Sequence, residues 1–140
     1  MKTSARNRFG GIIQDVQTLN GVCEVTVQCG DTTIISQISP QAQARLQPKV
    51  GSGAVVMVKA PFIILMTEIE PLRLSAENVL HGTVVRLEKG AVNHTVMLEL
   101  FDGLTVTATI TLHSSENLDI HIGQKMAAVF NAANTILGVM

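Results

Sequence analysis

Tryptophan and tyrosine are absent from this 140-residue sequence, and aromatic residues make up only 3% of it. Stacking platforms for nucleobases or sugar rings are therefore nearly missing. Charge is also sparse, at 15% of residues, with ten basic side chains against eleven acidic ones and a net charge of −1. No overall field draws such a chain to nucleic acid or to an anionic membrane. Long apolar runs are lacking as well: the stretch Ala54–Val58 stops at Lys59, far short of a bilayer span. The first residues contain no apolar signal-type segment, since Arg6, Arg8 and two glycines follow closely, so the expected location is the cytoplasm. There are only two cysteines, Cys23 and Cys29, six positions apart in an alternating run. That spacing puts them on one face of one strand, too far apart for a disulfide and without metal-type spacing. They read as buried structural thiols.

Catalytic motifs are missing too. The sequence has no Gly-rich phosphate loop, no nucleophile elbow and no recurring carboxylate pair. The four histidines, His81, His94, His113 and His121, all fall in the second half without ligand spacing and read as surface or loop residues. Neither a catalytic residue nor a metal site is expected.

What the sequence does contain is one unit written twice. Ser4-Ala5-Arg6-Asn7 reappears as Ser75-Ala76-Glu77-Asn78, an offset of 71 (4 to 75), and Gly11 and Val25 reappear as Gly82 and Val96. An extra residue near Gly103 moves the offset to 72 (38 to 110). Ile38, Leu46, Gly51 and Ala60 then match Ile110, Leu118, Gly123 and Ala132, and Ile64-Leu65 matches Ile136-Leu137. The join falls near 67–73, giving expected domains at 1–69 and 73–140.

Each unit reads as β. "GIIQDVQTL", "GVCEVTVQC" and "TTIISQIS" alternate apolar and polar residues and are rich in Val, Ile and Thr. Helical turns are expected at "PQAQARL" and "SSENL", with Pro40 suited to a first turn. Closing strands are expected in "AVVMVKA" and "FIILMT", and again in "MAAVFNA" and "TILGVM". The expected fold is all-β: two tandem OB-like five-stranded barrels, each with one short helical turn. Units this small are marginal alone, so units or chains are expected to pair.

Chemistry concentrates in the first copy. Arg6 and Lys59 stand in different parts of the unit, each beside small residues, "SAR" and "KAP". Small neighbours let backbone N–H groups approach a ligand, and Ser4 adds a hydroxyl donor. Two cations, a hydroxyl and free N–H groups form a receptor for a dianion with four acceptor oxygens. With no carboxylate in the set, a fully deprotonated oxyanion fits better than a protonated phosphate, whose proton would find no acceptor. Ordinary surface charges remain the alternative on pattern alone.

"TSARN" followed by Gly11, then "KAP" after a strand, resembles the molybdate-binding Mop or TOBE family, the molbindins. The resemblance covers essentially the whole chain as a tandem di-Mop protein. It implies that molybdate or tungstate binds between units of associating chains, as a dimer or trimer, with Ser4, the Ala5 backbone, Arg6, Lys59 and Ala60 as contacts. It adds Ser39 from the "ISPQA" turn, although Ala42 lacks the hydroxyl that relatives carry there. It also points to a weaker second-copy site at Ser75, Thr111 and Ser114, or an axial anion site at Ala91, Val92 and Asn93. In the second copy Glu77 replaces Arg6 and Asn131 replaces Lys59. An added carboxylate repels a dianion by several kcal/mol at an effective dielectric of about 20. One intact copy, one degenerate copy and the "VFNAAN" segment look like the C-terminal sensor half of molybdate-responsive regulators. The implied role is sensing or homeostasis without catalysis. A storage molbindin holding several anions and a ligand-free structural TOBE module stay open as alternatives.

Overall fold

The computed structural model describes residues 1–100 and 103–140. Among the described residues ten strands form in chain order: β1 (Asn7–Leu19), β2 (Val22–Cys29), β3 (Thr32–Ile38), β4 (Gly53–Val58), β5 (Ile64–Met66), β6 (Asn78–Lys89), β7 (Asn93–Leu100), β8 (Thr105–Thr111), β9 (Lys125–Phe130) and β10 (Ile136–Val139). Two short helices, α1 (Pro40–Leu46) and α2 (Leu112–Leu118), follow β3 and β8. Single 3-10 turns at Ala60–Phe62 and Ala132–Asn134 precede β5 and β10. None of the described helices is long and apolar enough to cross a membrane.

The fold is all-β, as expected, with two five-stranded antiparallel sheets ordered β10-β4-β1-β2-β3 and β5-β9-β6-β7-β8. Alternation does its work most plainly in β2, where every second residue (Cys23, Val25, Val27, Cys29) is buried and the intervening ones face outward. The two thiols are thus buried on one face, and neither is part of a disulfide. Burial pushes the Cys23 thiol pKa up, opposed by a hydrogen bond from Thr18.

β1 and β6 each serve two neighbours. Their first halves pair with β4 and β9, and their second halves pair with β2 and β7. A bulge between Ile13 and Asp15 in β1, and between Val84 and Arg86 in β6, bends each strand from one pairing towards the other. The glycine just before each bend is required by close approach. A Cβ on Gly11 would overlap the Gln28 carbonyl, and one on Gly82 would lie 2.7 Å from the Glu99 carbonyl oxygen.

Repeats in sequence and compact units in space do not coincide. One unit comprises 1–58 with 131–140, and the other comprises 59–130. The chain crosses after Val58 and returns after Phe130, so β10 completes the sheet begun by the first repeat and β5 the sheet of the second. Smaller differences concern boundaries. β1 starts at Asn7, inside the "SARN" motif, and α2 starts at Leu112, two residues before "SSENL".

Candidate functional site

The register of β1 against β4 begins with Asn7 opposite Val58. Arg6 immediately precedes the first member of that pair and Lys59 immediately follows the second, so antiparallel pairing carries both cations to one strand end. Both side chains are exposed, and neither has an ion-pair partner among the described residues. Ser4 is exposed and Ala5 half-buried beside Arg6, while Ala60 is buried beside Lys59. The Ala5 N–H donates to Thr3 Oγ1 at 3.1 Å. Small side chains on both flanks leave the cationic groups accessible, as anion capture needs.

Ser39 lies elsewhere in the same unit. It caps α1, its Oγ accepting the Ala42 N–H at 3.1 Å, and Pro40 occupies the first helical turn. The cap uses the acceptor side of the hydroxyl and leaves its proton available to a ligand. Ile38 pairs with Cys23, and Cys23 pairs with Thr18 near the far end of β1. Gln43 of α1 donates to Thr18 Oγ1 at 3.0 Å. Ser39 is therefore held at the opposite end of β1 from Arg6. The fold brings Ser4, Ala5, Arg6, Lys59 and Ala60 to one strand end and keeps Ser39 apart from them.

The second copy repeats the scaffold without the charges. Asn78 pairs with Phe130 as Asn7 pairs with Val58, and Glu77 and Asn131 flank that pair. Lys59 and Asn131 have nearly the same extended backbone before equivalent turns, φ −73° and −81°. Ser75 stands exposed at this end. Thr111 caps α2 by accepting the Ser114 N–H at 3.1 Å, and its own proton goes to Ser114 Oγ at 3.0 Å. Asn93 pairs with Thr111, and the Val92 carbonyl accepts the Leu112 N–H at 3.1 Å. Ala91, Val92 and Asn93 thus form an exposed turn beside Thr111 and Ser114.

Several polar residues escaped the sequence reading. Asn7 and Asn78 are 2% exposed, and Asn78 persists in the copy that lost both cations, which marks the pair as scaffold. His94 is not a surface histidine: it is buried, with Nδ1 2.8 Å from the buried Ser115 hydroxyl. Strand alternation over Asn93–Leu100 was the signal for its inward face. His81, His113 and His121 are exposed. No group of three His, Cys, Asp or Glu side chains converges among the described residues.

Comparison with known proteins follows the same division. Residues 3–65 and 74–137 each match the TOBE domain. The molybdenum transport protein ModE of Herbaspirillum seropedicae is 37% identical over 99% of this chain and 52% of its own length. The molybdenum-pterin-binding protein MopB of Rhodobacter capsulatus is 32% identical over 99% of this chain and 52% of its own. The chain thus spans about half the length of these curated relatives. Among solved structures, the cytoplasmic molybdate-binding protein ModG, in a form with molybdate bound, superposes with a TM-score of 0.95 at 37% identity, covering all of both chains. This chain belongs to the TOBE domain family, as two tandem copies of that domain.

Proposed function

We propose that this chain binds molybdate or tungstate in the cytoplasm, without catalysis, in molybdenum sensing or homeostasis. The observation that carries the reading is the Asn7–Val58 pairing, which sets two cations, without carboxylate partners among the described residues, at one strand end beside small residues. Arg6 and Lys59 neutralise the two charges of the oxyanion, and the Ser4 hydroxyl donates to a third oxygen. The Ala5 N–H joins them by giving up its bond to Thr3. Likeness to the molybdate-binding protein ModG over the full length of both chains supports the same ligand, and likeness to the molybdenum transport protein ModE over about half of ModE supports a role in molybdenum handling.

Ser39 is held at the far end of β1, so its hydroxyl completes the shell from a second copy of the chain in a dimer or trimer. Glu77 and Asn131 leave the second copy without a matching anion site, which suits a sensor with one site per chain. Storage of several anions per oligomer is the second reading, and a calorimetric stoichiometry above one anion per chain would favour it. Titration calorimetry with molybdate, tungstate, sulfate and phosphate tests the proposal. Molybdate and tungstate should bind alike at one per chain, sulfate weakly because it is too small to reach all the donors, and phosphate hardly at all. Equal affinity for all four would mean the site reads charge alone.

A further inference from the structure

Each terminal strand completes the sheet of the other repeat, although the two strands carry the same Ile-Leu dipeptide at equivalent positions. A hairpin back onto the preceding strand would offer either segment the same backbone ladder. Something in the side chains must distinguish the exchanged arrangement from the local one. Three equivalent positions, 72 residues apart, do so.

The first is a buried pair beneath the 3-10 turn. In the sheet completed by β10, Ser36 Oγ lies 2.6 Å from Thr135 Oγ1, and Thr135 Oγ1 donates to the Ala132 carbonyl at 2.7 Å. The Thr135 proton is thereby committed, so the Ser36 hydroxyl is the donor in the first bond. Both residues are buried. In the sheet completed by β5 the matching pair is Ala108 and Ile63, equally buried and wholly apolar. Ser and Ala are close in bulk and differ by one hydroxyl, whereas Thr and Ile differ both by a hydroxyl and in bulk. Put Ile63 over Ser36, and the serine would be buried without its acceptor.

The second position is a size match. Gly138 pairs with Val55, where a Cβ on the glycine would lie 3.1 Å from Val55 Cγ1. Its equivalent, Met66, pairs with the small Ala127. Exchanging the partners would crowd Met66 against Val55 and leave Gly138 facing Ala127. The third is a match of polarity. The Met140 side chain lies over Gly53, with its Cε 2.5 Å from where a Cβ would stand. The equivalents of this pair, Glu68 and Lys125, carry opposite charges and line one cavity.

We infer that the pairs Ser36–Thr135, Val55–Gly138 and Gly53–Met140, against Ala108–Ile63, Ala127–Met66 and Lys125–Glu68, are a lock and key that assigns each terminal strand to the opposite repeat. The anion-binding reading plays no part in this. The device lets two copies of one ladder coexist in one chain without competing for strands. It also ties the repeats together, because each is finished by residues from the other.

The test exchanges one key and then its lock in the full chain. The variant Ile63→Thr/Thr135→Ile puts isoleucine over Ser36 and threonine over Ala108. Its folding equilibrium, read by denaturant titration, should fall by about ten- to a hundred-fold, or the chain should re-pair locally. Re-pairing would be seen by NMR as loss of the Leu137–Val56 contact. Adding Ser36→Ala and Ala108→Ser restores both matches and should return stability to within about three-fold of the natural chain. A double variant that fails to fold while the quadruple variant folds supports the assignment equally. It is overturned if the double variant keeps both its stability and the Leu137–Val56 contact. It is equally overturned if the quadruple variant is no better than the double.

Discussion

Replacing Arg6 and Lys59 by alanine, one at a time, isolates the two charges that β1–β4 pairing carries to one strand end. Both side chains are exposed and lack carboxylate partners among the described residues, so their removal takes away little packed surface. Folding stability should move by less than about 0.5 kcal/mol. Binding should respond far more. A charge-assisted hydrogen bond to a dianion contributes about 1.5–3 kcal/mol, or roughly ten- to a hundred-fold in Kd. Arg86→Ala and Lys125→Ala are the matched controls, each removing one positive charge outside the motif; Arg86 is already paired with Glu88 at 2.8 Å. The assay is calorimetric titration with molybdate, alongside thermal melts to verify that each variant is folded at the titration temperature. If all four variants lose affinity equally, the chain's diffuse field holds the anion and the assignment of the site is wrong.

Other consequences follow from the same geometry. Glu77→Arg combined with Asn131→Lys puts the first copy's charges on the second copy's equivalent scaffold, and the calorimetric stoichiometry should rise from one anion per chain towards two. An unchanged stoichiometry would show that more than these two charges separates the copies. Gly11→Ala should destabilise the fold by about 1–3 kcal/mol because its Cβ meets the Gln28 carbonyl. Gly10→Ala, with nothing within 4 Å, should be nearly neutral in the same denaturant titration. Ser39→Ala should cost about 1 kcal/mol of stability through the lost α1 cap and also weaken binding. Ser39→Thr should preserve both, since Thr111 caps α2 in the same way.

Much of this architecture was legible in the residues. Alternation in "VCEVTVQC" and "TTIISQI" gave β2 and β3 nearly to the residue, and Pro40 marked the start of α1. These signals are local, and local signals survive folding. The strand exchange was hidden for the opposite reason. Ile64-Leu65 and Ile136-Leu137 are identical dipeptides, and periodicity cannot say which sheet each joins. The discriminating partners, Ser36 with Thr135 and Val55 with Gly138, lie far apart in sequence and acquire meaning only once in contact. At the candidate site, residue types pointed to Arg6 and Lys59. Only the Asn7–Val58 register explains why residues so distant along the chain share one strand end. His94 was misread because a lone polar residue in a strand can face either way, and the buried Ser115 hydroxyl is what lets it face inward.

The most direct test of the proposed site is a crystal of the chain grown with molybdate and measured at the molybdenum absorption edge. One strong anomalous peak per chain is expected between Arg6 and Lys59, with Ser39 of a neighbouring copy completing the shell. A peak at the Glu77–Asn131 end, or a molybdenum held by Arg6 and Lys59 in a monomer without any second chain's Ser39, would contradict this assignment.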